Sequence, residues 1–140
     1  MITAVDSNVL SALLRGEATQ TAIRRILNRA RREGPLLICG PVYAELQAGP
    51  GMTSELLDHF LTATGIEVDW RLDEAVWRST GTAFATCAAR WRASGGGSPR
   101  RVLADFVIGA HARSRGAQLV TLDAQHYAAC FPELQVVLPA

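Results

Sequence analysis

A chain of 140 residues suits one domain with an ordinary core, and 49% apolar content is that of a folded protein rather than a disordered one. A net charge of +1 gives no global basic signature of nucleic-acid binding. All 14 basic residues are Arg, which excludes every mechanism that needs a catalytic Lys, Walker-type phosphate binding among them.

The apolar run Ile2 to Val5 reads as a buried parallel strand. It ends at Asp6-Ser7-Asn8, residues that favour turns and helix N-caps. Val9, Leu10, Leu13 and Leu14 predict a short helix that stops at Gly16. Thr19 to Arg32 is a second helix, with Ile23, Ile26 and Leu27 on its apolar face and Arg25, Arg29 and Arg32 on another. The ordinary role of such a stripe is solvated charge; its functional reading is a surface for RNA phosphate or a partner. Leu36 to Cys39 is a second buried strand. Pro41 opens the next helix, at a position where no N–H is needed, and Glu45 lies among its apolar residues.

Met52 to Thr64 continues as helix, and Ile66 to Trp70 is a third strand. Leu72 to Ala93 predicts a long helix on which Trp77, Phe84 and Trp91 fall on one seam, expected to be core or a dimer face. The Ser94–Pro99 stretch, Ser-Gly-Gly-Gly-Ser-Pro, is a loop beside the site, and it lacks the spacing of a phosphate-binding fingerprint. The helix of Val102 to Arg115 follows. Gln118 to Leu122 is a fourth strand ending at Asp123, a short helix covers Gln125 to Cys130, and Gln135 to Leu138 is a last strand. Strands alternating with helices predict an α/β fold: three α/β/α layers around a central parallel sheet of about five strands, as one domain over residues 1–140.

Cys39, Cys87 and Cys130 are odd in number and widely spaced, with no C-x-x-C pair. They predict neither a disulfide framework nor a zinc site, and each is expected to be a small buried residue in a reducing compartment. The N-terminal stretch has no basic region and meets a charge at Asp6, unlike a signal peptide. No apolar run is long enough to span a membrane. A soluble, cytoplasmic protein is the expectation.

Asp105 stands among Leu103, Phe106, Val107 and Ala110 in what should be a first helical turn. A carboxylate there is costly unless something positive holds it. A helix N-terminus helps a little, Arg101 lies one turn back, and a divalent cation would help far more. Ligands of a parallel sheet bind outside the carboxyl ends of its strands. Asp6 and Asp123 end strands there, Glu45 lies just past the second strand, and the helix of Asp105 starts at that edge. Four converging carboxylates repel one another, and hard cations such as Mg²⁺ or Mn²⁺, with their preference for oxygen, remove the repulsion. Taken singly these signals are weak, since an Asp after a strand is usually a cap. Their joint placement suggests metal-assisted phosphodiester hydrolysis.

The motifs Val-Asp6-Ser-Asn8-Val-Leu, Val-Tyr-Ala-Glu45-Leu, Ala-Asp105-Phe-Val-Ile-Gly-Ala-His-Ala and Leu-Val-Thr121-Leu-Asp123 match in order and spacing those of PIN domains. Over essentially its whole length the chain resembles the VapC-type toxins of type II toxin–antitoxin pairs. The resemblance implies a Mg²⁺- or Mn²⁺-dependent endoribonuclease with Asp6, Glu45, Asp105 and Asp123 as catalytic, metal-binding acids. It implies that Asn8 and Thr121 orient ligands or water. It further implies an RNA substrate, a cognate VapB-like antitoxin and a homodimer. Arg100 and Arg101, after the Gly-rich loop, are placed to contact RNA or the antitoxin. His126-Tyr127 departs from the family's commoner Asp-Phe-type ending, with a consequence expected for packing more than chemistry. His111, six residues past Asp105, is expected to be structural.

A receiver domain or a haloacid-dehalogenase-like phosphatase would use a similar sheet, but both need a Lys that this chain lacks. A PIN nuclease of RNA processing or DNA flap cleavage without an antitoxin stays open, as does a metal-free interaction module. The latter would be expected to have lost one of the four acids.

Overall fold

Short apolar runs separated by turn residues become the strands, and the longer amphipathic stretches become the helices that cover them. The computed structural model describes residues 1–95 and 103–139. Along the chain run β1 (Thr3–Val5), α1 (Ser7–Leu14), α2 (Gln20–Glu33), β2 (Leu36–Cys39), α3 (Gly40–Gln47), α4 (Ser54–Thr64), β3 (Ile66–Asp69), α5 (Glu74–Ala93), α6 (Leu103–Ser114), β4 (Gln118–Val120), α7 (Ala124–Cys130) and β5 (Val136–Val137). The strands form one parallel sheet in the order β3-β2-β1-β4-β5, flanked by the helices as the alternating pattern predicts.

Leu10, Ile23, Leu36, Ile38, Leu57, Ile108 and Leu119 are fully buried, each contributing about 1.5–3 kcal/mol relative to exposure. Local signals set the helix ends. The Thr53 and Asp73 side chains accept from Leu56 N and Val76 N, both at 3.1 Å, which satisfies first-turn donors and stabilises each helix by about 1 kcal/mol. Gly65 ends α4 at φ 71°, a left-handed conformation that favours glycine. Among the described residues no helix is long and apolar enough to cross a membrane.

The structure corrects the sequence reading in two places. Of the two roles expected for the Trp77 seam, core or dimer face, Trp77 does not take the core one: it is 46% exposed, and the buried face of α5 is Val76, Thr80, Ala83, Cys87 and Ala88. Smaller side chains on the adjoining stripe let α6 approach. Phe84 and Trp91 pack only in part, against Phe106, at ring distances of 4.5 and 6.5 Å. Second, Cys87 and Cys130 are joined by a disulfide rather than standing as separate thiols, while Cys39 is free and buried. A separation of 43 residues says nothing about proximity; the packing of α7 on α5 brings the two together. In the chain-entropy view a cross-link of that span stabilises the fold by about 4 kcal/mol.

Candidate active site

From β1 the chain steps outward to β2 and β3, then crosses back to place β4 on the other side of β1. The connections leaving β1 and β4 therefore diverge, which opens a crevice at their carboxyl ends. Asp6 sits at this point. Its backbone N–H donates to Val120 O at 2.9 Å, so the exits of the two strands are pinned together.

Asp6 occupies the N-cap position of α1 but makes no side-chain cap hydrogen bond. Its carboxylate is turned to other partners. Thr121 Oγ1 donates to Oδ2 at 2.7 Å and Tyr127 Oη donates to the same oxygen at 3.0 Å. Ser7 Oγ lies 3.4 Å from Oδ1, and the Ser7 backbone N–H also donates to the carboxylate. The residue is only 3% exposed. Burial pushes its pKa up, the two hydroxyl bonds oppose that, and the charge of Asp105 pushes it up again.

Glu45 stands on the exposed face of α3 and accepts from Ser7 Oγ at 3.1 Å. One serine hydroxyl thus lies between Asp6 and Glu45. The Glu45 pKa is also raised, by partial desolvation first and then by the charges of Asp105 and Asp6. Asp105 lies half-buried in the first turn of α6, where the sequence places it. Asp6, Glu45 and Asp105 are therefore within electrostatic reach of one another.

Asp123 is one step removed. It caps α7, accepting from His126 N at 3.5 Å, and its charge is felt at the Tyr127 hydroxyl together with those of Asp6 and Asp105. Thr121 links the two regions, since its hydroxyl also accepts from Asp123 N at 3.0 Å. Asn8 accepts from Leu122 N at 3.2 Å, so it braces the segment after β4 rather than a carboxylate. Arg100 and Arg101 lie outside the described residues. Among the described residues, no three His, Cys, Asp or Glu groups are placed to hold a metal ion.

Two contributors were not visible in the sequence. Ser7 reads there only as a turn residue, and Tyr127 as a packing residue. The Tyr127 hydroxyl instead bonds Asp6 across 121 positions, and its pKa is pushed far up by burial and by the nearby acids. A buried Tyr beside a buried Asp needs a partner for its hydroxyl, but only the fold shows which. Cys39, which ends β2 near these acids, has its thiol pushed up to about 12 by burial and is inert as a nucleophile.

A second polar cluster lies elsewhere. Asp69 at the end of β3 accepts from Arg115 Nε at 2.6 Å and faces His111 Nε2 at 2.9 Å. Burial raises the Asp69 pKa, but the bonds from Arg115 and His111 outweigh it and hold the carboxyl well below the usual range. These contacts tie the C-terminal part of α6 to the edge of the sheet, a structural role for His111.

No curated protein sequence matches the chain significantly. Its fold is similar to that of several solved chains. One is from VapBC2 of Rickettsia felis, bound to a DNA fragment from its promoter (TM-score 0.67, 19% identity, 99% of this chain and 98% of that one). Another is from FitAcB of Neisseria gonorrhoeae (0.65, 22%, 99% and 98%). A third is from a toxin–antitoxin complex of Klebsiella pneumoniae (0.63, 16%, 99% and 98%). The model of the PIN domain matches residues 3–132, nearly the whole length over which the sheet and its carboxylates are laid out, and the chain belongs to the PIN domain family.

Proposed function

We propose that this PIN domain is a Mg²⁺- or Mn²⁺-dependent endoribonuclease that acts as the toxin of a VapBC-like pair. The observation that carries the reading is Asp6: a buried carboxylate at the switch point of the sheet, fixed by two hydroxyls on one oxygen, with the charge of Asp105 raising the cost of its own. A structural Asp would cap its helix or pair with an Arg; the Asp6 side chain makes no cap hydrogen bond and instead accepts from two hydroxyls. The likeness to chains of toxin–antitoxin complexes supports the toxin role and a VapB-like antitoxin partner. An RNA substrate and a homodimer belong to the same proposal.

The donor set suits a hard divalent cation, being all oxygen. Among the described residues no three of these carboxylates are placed to hold one ion together. Mg²⁺, however, usually keeps several waters and takes only one or two carboxylates. Asp6 and Asp105 would hold it, with Glu45 and Asp123 acting at longer range. A bound ion supplies Lewis acidity, making water a better nucleophile near neutral pH and offsetting charge on phosphate oxygens.

The chain's own residues do the positioning. Thr121 and Tyr127 lock the Asp6 carboxylate in one orientation, so no reorganisation is needed when a substrate arrives. Ser7 keeps Glu45 turned toward Asp6. The sequence reading also assigns Arg100 and Arg101 to phosphate. Replacing both with Ala is expected to weaken RNA binding and lower the slope of log affinity against log salt by one to two. Unchanged affinity and slope in a filter-binding titration would return them to the role of solvated loop residues.

The toxin role is tested in cells. Expression of the chain alone should arrest growth, and co-expression with the product of an adjacent antitoxin-like gene should restore it. Arrest that persists with the partner, or no arrest at all, would favour a PIN nuclease without an antitoxin.

A further inference from the structure

The Cys87–Cys130 bond has no part in the site described above, yet it is connected to it. Cys130 is the last residue of α7. Tyr127, three positions earlier, donates to Asp6, and Asp123 caps the start of the same helix. A helix of seven residues is too short to hold itself together, so tertiary anchors fix it. The disulfide to α5 is the covalent one among them. The others are the buried Tyr127 and Phe131, and the Arg90 guanidinium, which donates to Ala129 O at 2.8 Å.

The two sulfurs also line a cavity of about 370 Å³, bounded by Arg90, Trp91, Gln125 and Ala129. Cys87 is buried and Cys130 is partly exposed. His126 Nδ1 lies 3.8 Å from Cys130 Sγ. A disulfide reached through a cavity with a cation at its wall is open to exchange, because a nearby positive charge favours thiolates.

We propose that this disulfide is a redox modification site whose partner is a dithiol reductant, and that its state sets how firmly α7 presents Tyr127 and Asp123. One thiolate of the dithiol attacks Cys130 Sγ; the bond to Cys87 breaks, and Cys87 leaves as a thiolate and takes up a proton. The second thiol of the reductant then attacks its own sulfur in the mixed disulfide, and Cys130 leaves and takes up a proton. Two electrons and two protons pass to the protein, and the reductant ends as a disulfide. Only the consequence for RNA cleavage rests on the proposed function.

The test compares the full chain, air-oxidised and after dithiothreitol, by thiol counting in denaturant, amide hydrogen exchange and thermal melting. The Cys87→Ser/Cys130→Ser variant is run in parallel. One thiol is expected before reduction and three after it. Reduction should speed exchange of the α7 amides at least tenfold, with a smaller change in β1, and lower the melting temperature by about 10 °C. The double variant should match the reduced protein and ignore dithiothreitol. Three thiols in the oxidised protein, α7 exchange equal in the two states, or a variant as sensitive to dithiothreitol as the native chain would overturn the proposal. An RNA-cleavage assay on the same samples separates the two readings. Exchange that responds with no cleavage in either state sinks the nuclease and leaves the redox site, whereas cleavage with unresponsive exchange does the opposite.

Discussion

Asp105→Asn is expected to lose RNA cleavage by on the order of a hundredfold or more while melting, in EDTA, at or slightly above the native chain. The two effects have one electrostatic origin. The Asp105 charge raises the pKa of both Asp6 and Glu45, so folding without a cation brings like charges together. Asn keeps the shape and removes one charge, a relief of about 1 kcal/mol or less per pair because Asp105 itself is only half-buried. With the ion present, the same change removes a donor, so the variant should gain less from added Mg²⁺.

The pH dependence follows the same sign. Asp6 and Glu45 hold protons more tightly in the folded chain than in the unfolded one. Their penalty is absent below the ordinary values of 3.8 and 4.5. It builds up as pH rises from these values toward the raised folded ones and is fully present above them. Asp105→Asn should make that decline shallower in metal-free melts between pH 4 and 7, on the order of a few tenths of a kcal/mol per unit. A purely structural Asp105 predicts a lower melting temperature in EDTA, an unchanged Mg²⁺ increment and residual activity.

Gly109→Ala should be the most damaging of the small substitutions. A Cβ at Gly109 would stand 2.4, 2.6 and 2.9 Å from three ring carbons of Phe131. That ring is fully buried, packed near Phe106 and Tyr127, and covered by the Arg113 guanidinium 5.1 Å from its centre. It has no free side toward which to move. Alanine improves helix propensity by about 1 kcal/mol, but the overpacking costs more, for a net loss of about 1–3 kcal/mol. A fall of about 3–10 °C in melting temperature is expected. Because Phe131 follows Cys130 directly, displacement of the ring should also disturb α7 and the Tyr127–Asp6 bond. Gly81→Ala is the control: a Cβ at that helical position meets nothing within 4 Å, so propensity alone should stabilise by up to about 1 kcal/mol. Equal melting temperatures for the two variants would contradict the packing described here.

Much of the sheet was legible from the sequence because β1 and β2 are short, nearly continuous buried runs and its breaks fall at Asp6, Gly34-Pro35, Gly65 and Asp123. The placement of Asp6 followed from the same logic, since a parallel sheet puts strand-ending acids at one edge. What the sequence did not reveal depends on contacts between distant positions. Tyr127 looks like any core aromatic until the fold sets its hydroxyl on Asp6. Ser7 looks like a turn residue until α3 brings Glu45 beside it. The Cys87–Cys130 bond needs α5 and α7 to pack together, and nothing local to either helix encodes that. The core role for Trp77 failed because a seven-residue aromatic repeat resembles a core stripe, while smaller residues on the adjoining stripe form the buried face.

The most direct test of the account is cleavage of RNA by the purified chain, with Mg²⁺ or Mn²⁺ and then with EDTA, beside Asp6→Asn. The account predicts cleavage that requires the ion, stops on chelation, returns when Mg²⁺ is restored in excess, and is lost in Asp6→Asn although that variant remains folded. Cleavage that continues undiminished in EDTA, or that survives in Asp6→Asn, would contradict a divalent-cation site built on these carboxylates.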